Sequence, residues 1–244
     1  MIAGIVQARM GSARSPGKVL RVAAGMTLLE HLVSRLQHAC SLDMVVVATS
    51  DLPADEPIED LCREIDVRCV RGSETDVLDR YFLAAKQVGA DQIVRITADC
   101  PLIDPAIVDL VVGVHAASPD AWDLVTNRHP LTFPDGMDVD VMRIDALEHA
   151  WVHAKSDPQR EHVIPYFWEA GHRVRNVEHS ENLFPTHRWT VDYEEDVQLV
   201  TRVIEALYTP GGVFGMADIL AFVDSHPDVA ALNAHHLPAP HRTP

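Results

Sequence analysis

Short apolar runs and helical stripes alternate through the first 120 residues, and a parallel sheet explains that rhythm best. Ile2 to Ala8 is an apolar run closed off by Gly11 and Pro16, which predicts a buried strand. A helix is predicted near Met26 to Ala39, with Leu28, Leu29, Leu32, Val33 and Leu36 on one face. A strand over 43–49, a helix over 55–64, a strand over 67–70, a helix over 75–88 and a strand over 92–97 follow. Asp104-Pro105 then opens another helix, with Asp as cap and Pro at the first helical position. Repeated strand-to-helix units exclude all-α and all-β folds and predict an α/β, Rossmann-like, mostly parallel sheet.

The second half is less regular. Strands are predicted near 123–126 and 138–142 around a turn-rich stretch, then helices at 144–156 and 158–170. A strand near 174–177 and helices over 194–207 and 215–225 complete the reading. Residues 1–236 read as one domain, with an inserted lobe at about 127–185 on the substrate side. Residues 237–244 read as a frayed tail.

Charge narrows the partners. With 36 acids against 20 Lys and Arg, the formal charge is −16, a poor match for nucleic acid or anionic membranes. The apolar stretches fall short of the roughly 18 residues that a membrane span needs. The opening run meets Gln7 and Arg9 at once, so no signal peptide is expected. Cys40, Cys62, Cys69 and Cys100 show no C-x-x-C spacing, which predicts reduced thiols and a cytoplasmic setting.

The distribution of charge is more informative than its sum. The first acid is Glu30, and before it stand Arg9, Arg14, Lys18 and Arg21. Proportional placement would put about four acids there. Residues 9–18 follow a predicted strand, where open α/β sheets bind ligands. Glycines let backbone N–H groups approach phosphate oxygens, and Arg or Lys supplies compensating charge. Five residues separate Gly11 from Gly17, and Val19 stands where a Walker loop needs Ser or Thr. The loop therefore suggests a polyphosphate held without that motif and without G-x-G-x-x-G.

The run Gln7-Ala8-Arg9-Met10-Gly11-Ser12-Ala13-Arg14-Ser15-Pro16-Gly17-Lys18 resembles the opening of the sugar-acid cytidylyltransferases. These are the CMP-Kdo and CMP-sialate synthetases, and the resemblance is nearest to their spore-coat-polysaccharide (SpsF-type) branch. Arg95 to Asp104, Phe133 to Val141, Arg160-Glu161-His162-Val163 and Arg188 to Asp192 match in the same order. The resemblance implies a three-layer nucleotidyltransferase fold, transfer of CMP from CTP to an anionic small-molecule acceptor, release of pyrophosphate, and a homodimer.

On that resemblance Arg9, Gly11, Ser12, Arg14 and Lys18 hold the triphosphate, with Lys18 also catalytic. Ala48, Thr49, Arg71 and Thr97 fall where the family contacts base and ribose. Relatives often carry an acid where Ser50 stands and a Gln where Thr97 stands. Asp99 and Asp192 match the family's Mg²⁺ ligands, a chemistry suited to an ion that leans on carboxylates and substrate phosphates. Asp138, Asp140, Arg160, His162 and Arg188 are candidates for the acceptor side.

Plainer readings stand beside these. Asp99 could simply end a strand, and Asp192 with Glu195 spells a D-x-x-E capping box. Asp138 and Asp140 alternate with apolar residues on one strand face. That face could be solvated, could wall the acceptor site, or could be the D-x-D metal motif of a glycosyltransferase. A non-catalytic nucleotide-binding regulator is a further alternative. His149 and His153, four apart, and His235-His236 read as surface residues, and Cys100 reads as packing.

Overall fold

The first strand, β1 (Ile2–Gln7), lies at the middle of a seven-stranded sheet. The chain of this computed structural model is described over residues 1–238 except Ala13 and Ala170. The part of the expected tail beyond 238 therefore lies outside the described residues. The first half runs β1, β2 (Val22–Ala23), β3 (Met26–Thr27), α1 (Leu28–Leu36), β4 (Met44–Ser50), α2 (Glu56–Glu64), β5 (Arg68–Gly72), α3 (Val77–Val88), β6 (Gln92–Thr97) and α4 (Pro105–Ala116). The second runs β7 (Leu124–Thr126), β8 (Asp140–Arg143), α5 (Ile144–His153), α6 (Asp157–His162), α7 (Pro165–Glu169), β9 (Val174–Asn176), α8 (Glu194–Leu207), α9 (Met216–Ser225) and α10 (Pro227–Ala230).

The sheet order is β5-β4-β1-β6-β8-β7-β9, and β8 alone runs against its neighbours. Strands covered on both faces need unbroken apolar runs, and Ala3, Ile5 and Val6 are fully buried. Val6, Val47 and Val94 face α1, α4 and α8 through Leu29, Leu32, Val108 and Val200. Ile5, Val46 and Ile93 face α3, α5 and α7 through Leu78, Tyr81, Leu147 and Phe167. The result is a three-layer α/β/α molecule of the expected class. No helix among the described residues is long and apolar enough to cross a membrane.

Local departures have local causes. The helix expected from Met26 begins at Leu28, because Thr27 caps it reciprocally with Glu30. Residues 22–27 form a small hairpin whose turn sets Ala24 and Gly25 at φ 48° and 84°. The helix expected over 158–170 splits into α6 and α7 at Val163, which has φ 65°. Segment 127–185 adds β8 and β9 to the main sheet rather than building a separate one.

Candidate active site

Strands leave β1 in both directions: β4 and β5 follow on one side, and β6 lies on the other. That reversal makes β1/β6 a topological switch point, where such sheets open a crevice at the strands' carboxyl ends. Gln7 pairs with Thr97 across it, and Ala98 N–H donates to Gln7 O at 3.0 Å. A cavity of about 590 Å³ opens there, lined by the loop after β1, by Asp99 after β6, and by Asp135, Asp138, His162 and Asp192. A larger hollow of about 700 Å³ lies at the amino ends of β4 and β5. It is at the wrong end of the sheet for this topology.

The cationic loop is anchored from behind by Asp55. Its buried carboxylate accepts from Met10 N–H at 2.6 Å and from the Ser50 hydroxyl. Gly17, at φ 69°, turns the chain so that its N–H reaches Met10 O at 3.0 Å. Arg9, Ser12, Arg14 and Lys18 then line the cavity. Lys18 Nζ donates to Val191 O and sits 3.3 Å from Asp192 Oδ1. Arg14 reaches the same oxygen at 2.8 Å, and Arg188 reaches Oδ2 at 2.9 Å. Burial alone would raise the Asp192 carboxyl, but Lys18, Arg188 and Arg14 outweigh it and hold it below the ordinary carboxylate range.

Backbone bonds splice Asp99 to the Asp192 segment. Val191 N–H donates to Asp99 O at 2.7 Å, and the Thr190 hydroxyl to the same oxygen at 3.2 Å. Among the described residues the Asp99 carboxylate has no cation within ion-pair distance, only the Cys100 thiol at 3.6 Å. Burial pushes that thiol well up, so Cys100 is packing. Asp192 and Glu195 do not form a capping box. The carboxylate at the start of α8 is Asp196, which accepts from Asp192 N–H and Tyr193 N–H at 2.9 and 3.0 Å. Two carboxylates facing one cavity, one of them unpaired, are a hard-oxygen donor set that fits a small divalent cation.

Asp135 is a site residue that sequence reasoning missed. Burial and then Asp138 push its carboxyl up to about 7, against the pull of Arg188, whose guanidinium lies 2.7 Å away. Arg188 also binds Asp196 at 3.1 Å. It sets these carboxylates in place and is absent from the cavity wall.

The acceptor-side candidates divide. Asp138 and His162 line the cavity. Asp138 pairs with Arg128 at 2.9 Å, and burial raises its carboxyl against that pull. Asp140 is buried away from the cavity, held by Arg95 at 2.8 Å and the Thr126 hydroxyl at 2.6 Å. It is therefore neither solvated nor open to a nucleotide-bound metal. Arg160 is tied to Asp76 and to Trp151 O, outside the cavity wall. Arg95 and Arg128 do line the cavity; the buried Arg95 Nε has no partner among the described residues, whereas Arg128 Nε is the atom that faces Asp138. A hollow of about 340 Å³ continues past them to His162 and Trp168.

The base-side candidates divide too. Thr97 lines the cavity. Ala48 and Thr49 are fully buried on opposite faces of β4, and Gly11 lies beside Glu74. Arg71 is engaged with Glu59 at 2.9 Å and with the carbonyls of Ser50 and Leu52. His149 and His153 stack at 4.2 Å, and His235 and His236 lie against Glu195.

Residues 3–208 match the model of a family described as Cytidylyltransferase. The chain is 35% identical to an uncharacterized protein of Methanocaldococcus jannaschii, over 96% of this chain and 95% of that one. It is 33% identical to the spore coat polysaccharide biosynthesis protein SpsF of Bacillus subtilis, over 93% and 95%. A solved cytidylyltransferase from Leptospira borgpetersenii superposes with a TM-score of 0.88 at 30% identity, covering 94% of this chain and 96% of that one.

Proposed function

The chain belongs to the cytidylyltransferase family of CTP-dependent nucleotidyltransferases, and on that premise we propose that it transfers CMP from CTP to an anionic small molecule, releasing pyrophosphate. The acceptor classes that suit the site are sugar acids, sugar or cyclitol phosphates, and phosphonates. One observation carries the reading: Arg9, Arg14 and Lys18 share a cavity at the β1/β6 switch point with Asp99 and Asp192.

In this reading Arg9, Arg14 and Lys18 grip the triphosphate tail, and loop N–H groups add donors. An acceptor oxygen forms a bond to the α-phosphorus while the bond to the bridging oxygen of the β-phosphate breaks. The electron pair leaves with pyrophosphate, whose charge Lys18 and Arg14 neutralise. Asp99 and Asp192 would hold Mg²⁺, which when bound offsets charge developing on the α-phosphate. Arg95 offers its Nε donor to the acceptor's anionic group, and Arg128, held by Asp138, adds positive charge beside it. Burial of Asp140 argues against the nucleotide-sugar glycosyltransferase alternative, because the second acid of its metal motif is out of reach. The reading also carries a homodimer, measurable by light scattering.

Pyrophosphate release tests it, using the four nucleoside triphosphates against a panel of anionic acceptors with Mg²⁺. CTP-dependent release that requires one acceptor class is the expected result. Hydrolysis of a nucleotide sugar, or no release with CTP under any acceptor, would overturn it.

A further inference from the structure

The first turn of α8 meets a 3₁₀ turn, Ala234–His236, where nitrogen and oxygen donors converge. Glu195 Oε2 lies 3.4 Å from His236 Nε2, and Glu195 Oε1 lies 3.9 Å from His235 Nε2. One ligand atom from each of the three residues falls within 4.8 Å of the other two. Both contacts are longer than the roughly 2.7–3.2 Å of a good N–H···O bond. A tetrahedral zinc ion, with bonds of about 2.0–2.2 Å, holds its ligand atoms roughly 3.4 Å apart. The three groups therefore stand near the spacing of a coordination shell.

The cluster is held in place by residues outside it. Asn233 is buried, and its Nδ2 donates to Arg188 O at 2.9 Å and to Asp196 Oδ1 at 2.8 Å. That clamp sets the turn carrying both histidines beside Glu195, the neighbour of Asp196. The Tyr193 ring stacks on His236 with centroids 3.8 Å apart and planes 6° apart, which fixes the orientation of that imidazole. His235 lies against it, with ring centroids 4.0 Å apart. The side chains of His235 and Glu195 are 58% and 42% exposed, so an ion can enter from solvent without opening the fold.

We propose that Glu195, His235 and His236 bind a divalent transition metal of the zinc class, with water in the fourth position, and that the ion ties the 234–236 turn to α8. Two neutral imidazoles and a carboxylate suit Zn²⁺, Ni²⁺ or Cu²⁺, whereas Mg²⁺ prefers an all-oxygen shell. The donor set is thus chemically distinct from the Asp99 and Asp192 carboxylates. Glu195 and His236 are 41 positions apart, so the chain must be folded to bring the ligands together. Binding then stabilises the folded state by mass action.

Calorimetry on the untagged full chain tests this, with Zn²⁺ as the probe and excess Mg²⁺ present to fill the aspartate pair. The proteins compared are the wild type, His235→Ala, His236→Ala, Glu195→Gln and Asp99→Ala. The wild type should bind Zn²⁺, and its thermal midpoint should rise as Zn²⁺ is added. The two histidine variants and Glu195→Gln should each weaken that binding by roughly 100-fold or more, because losing even a supporting residue costs a metal site about 10- to 100-fold. Co²⁺ in place of Zn²⁺ should give the visible absorption of a tetrahedral ion in the wild type and lose it in those three variants. Asp99→Ala should keep both signals. A wild type that binds no Zn²⁺ in excess Mg²⁺ overturns the proposal. So does binding that survives undiminished in the three ligand variants, or that is lost only in Asp99→Ala.

Discussion

Lys18 Nζ and Asp192 Oδ1 lie 3.3 Å apart across 174 positions of sequence, so the cationic loop and the loop before α8 meet at one point of the cavity. In the free protein Asp192 occupies the cations that a triphosphate would claim. Lys18→Ala should weaken CTP binding about 10- to 100-fold, the scale of a lost charge-assisted hydrogen bond of roughly 1.5–3 kcal/mol. Thermal stability should barely move, because Arg14 and Arg188 still neutralise Asp192. Arg9→Ala should have a smaller effect, since Arg9 is 40% exposed. Unchanged CTP affinity in Lys18→Ala, measured by calorimetry, would remove the loop from the triphosphate site.

The two aspartates should fail in different ways. Asp99→Ala should reduce kcat by roughly a thousandfold or more, if several kcal/mol of charge stabilisation depend on it. It should leave thermal stability unchanged, because no cation of the described residues pairs with its carboxylate. Asp192→Asn should also abolish turnover, yet raise metal-free affinity for tripolyphosphate severalfold by freeing Lys18 and Arg14. Wild-type turnover in Asp99→Ala, or weaker metal-free tripolyphosphate binding in Asp192→Asn, would contradict this division.

The architecture was legible because β1, β4 and β6 are buried on both faces, which leaves largely apolar runs between amphipathic helices. The cationic loop was legible because its residues are contiguous. Groups assembled from distant segments were not. Asp55 sits at the start of α2 and reads as a helix-entry residue, yet its carboxylate serves Met10, 45 positions earlier. Asp140 reads as one face of an alternating strand, but its partners Arg95 and Thr126 come from β6 and β7. Arg80 looks like an ordinary polar position on an amphipathic helix. Its burial over the end of β5, with Nε and Nη1 lacking an acceptor among the described residues, is what distinguishes it.

Gly136 couples the acidic cluster to the loop that carries Asp192. It holds φ 105°, and a Cβ there would lie 2.6 Å from Thr190 N and 2.7 Å from Trp189 C. Both obstacles are backbone, so they cannot swing aside. Gly136→Ala should therefore cost about 2–4 kcal/mol in urea unfolding, the range of substitutions that force a special backbone position. It should also lower kcat by displacing Asp135 and Asp192 together. A variant with unchanged stability and activity would show that these segments are not held in register by that contact.

Asp196 should control the acid limit of stability. It is fully buried and accepts from Arg188, Asn233 and the N–H groups of Asp192 and Tyr193. Burial would raise its carboxyl, but Arg188 and these donors hold it below the ordinary value. A carboxyl lowered in the folded state stabilises the protein fully above the unfolded pKa of about 3.9 and loses that contribution as pH falls through the folded value. Asp196→Asn leaves Arg188 with less compensation and should cost about 3–5 kcal/mol at pH 7, the usual consequence of removing one partner of a buried pair. The gap between wild type and variant should narrow once pH drops below about 4, as the wild-type carboxylate takes up its proton. Urea unfolding at pH 7, 5, 4 and 3 measures this directly. A gap that stays constant over that range would mean that Asp196 acts through shape and neutral hydrogen bonds, not through charge.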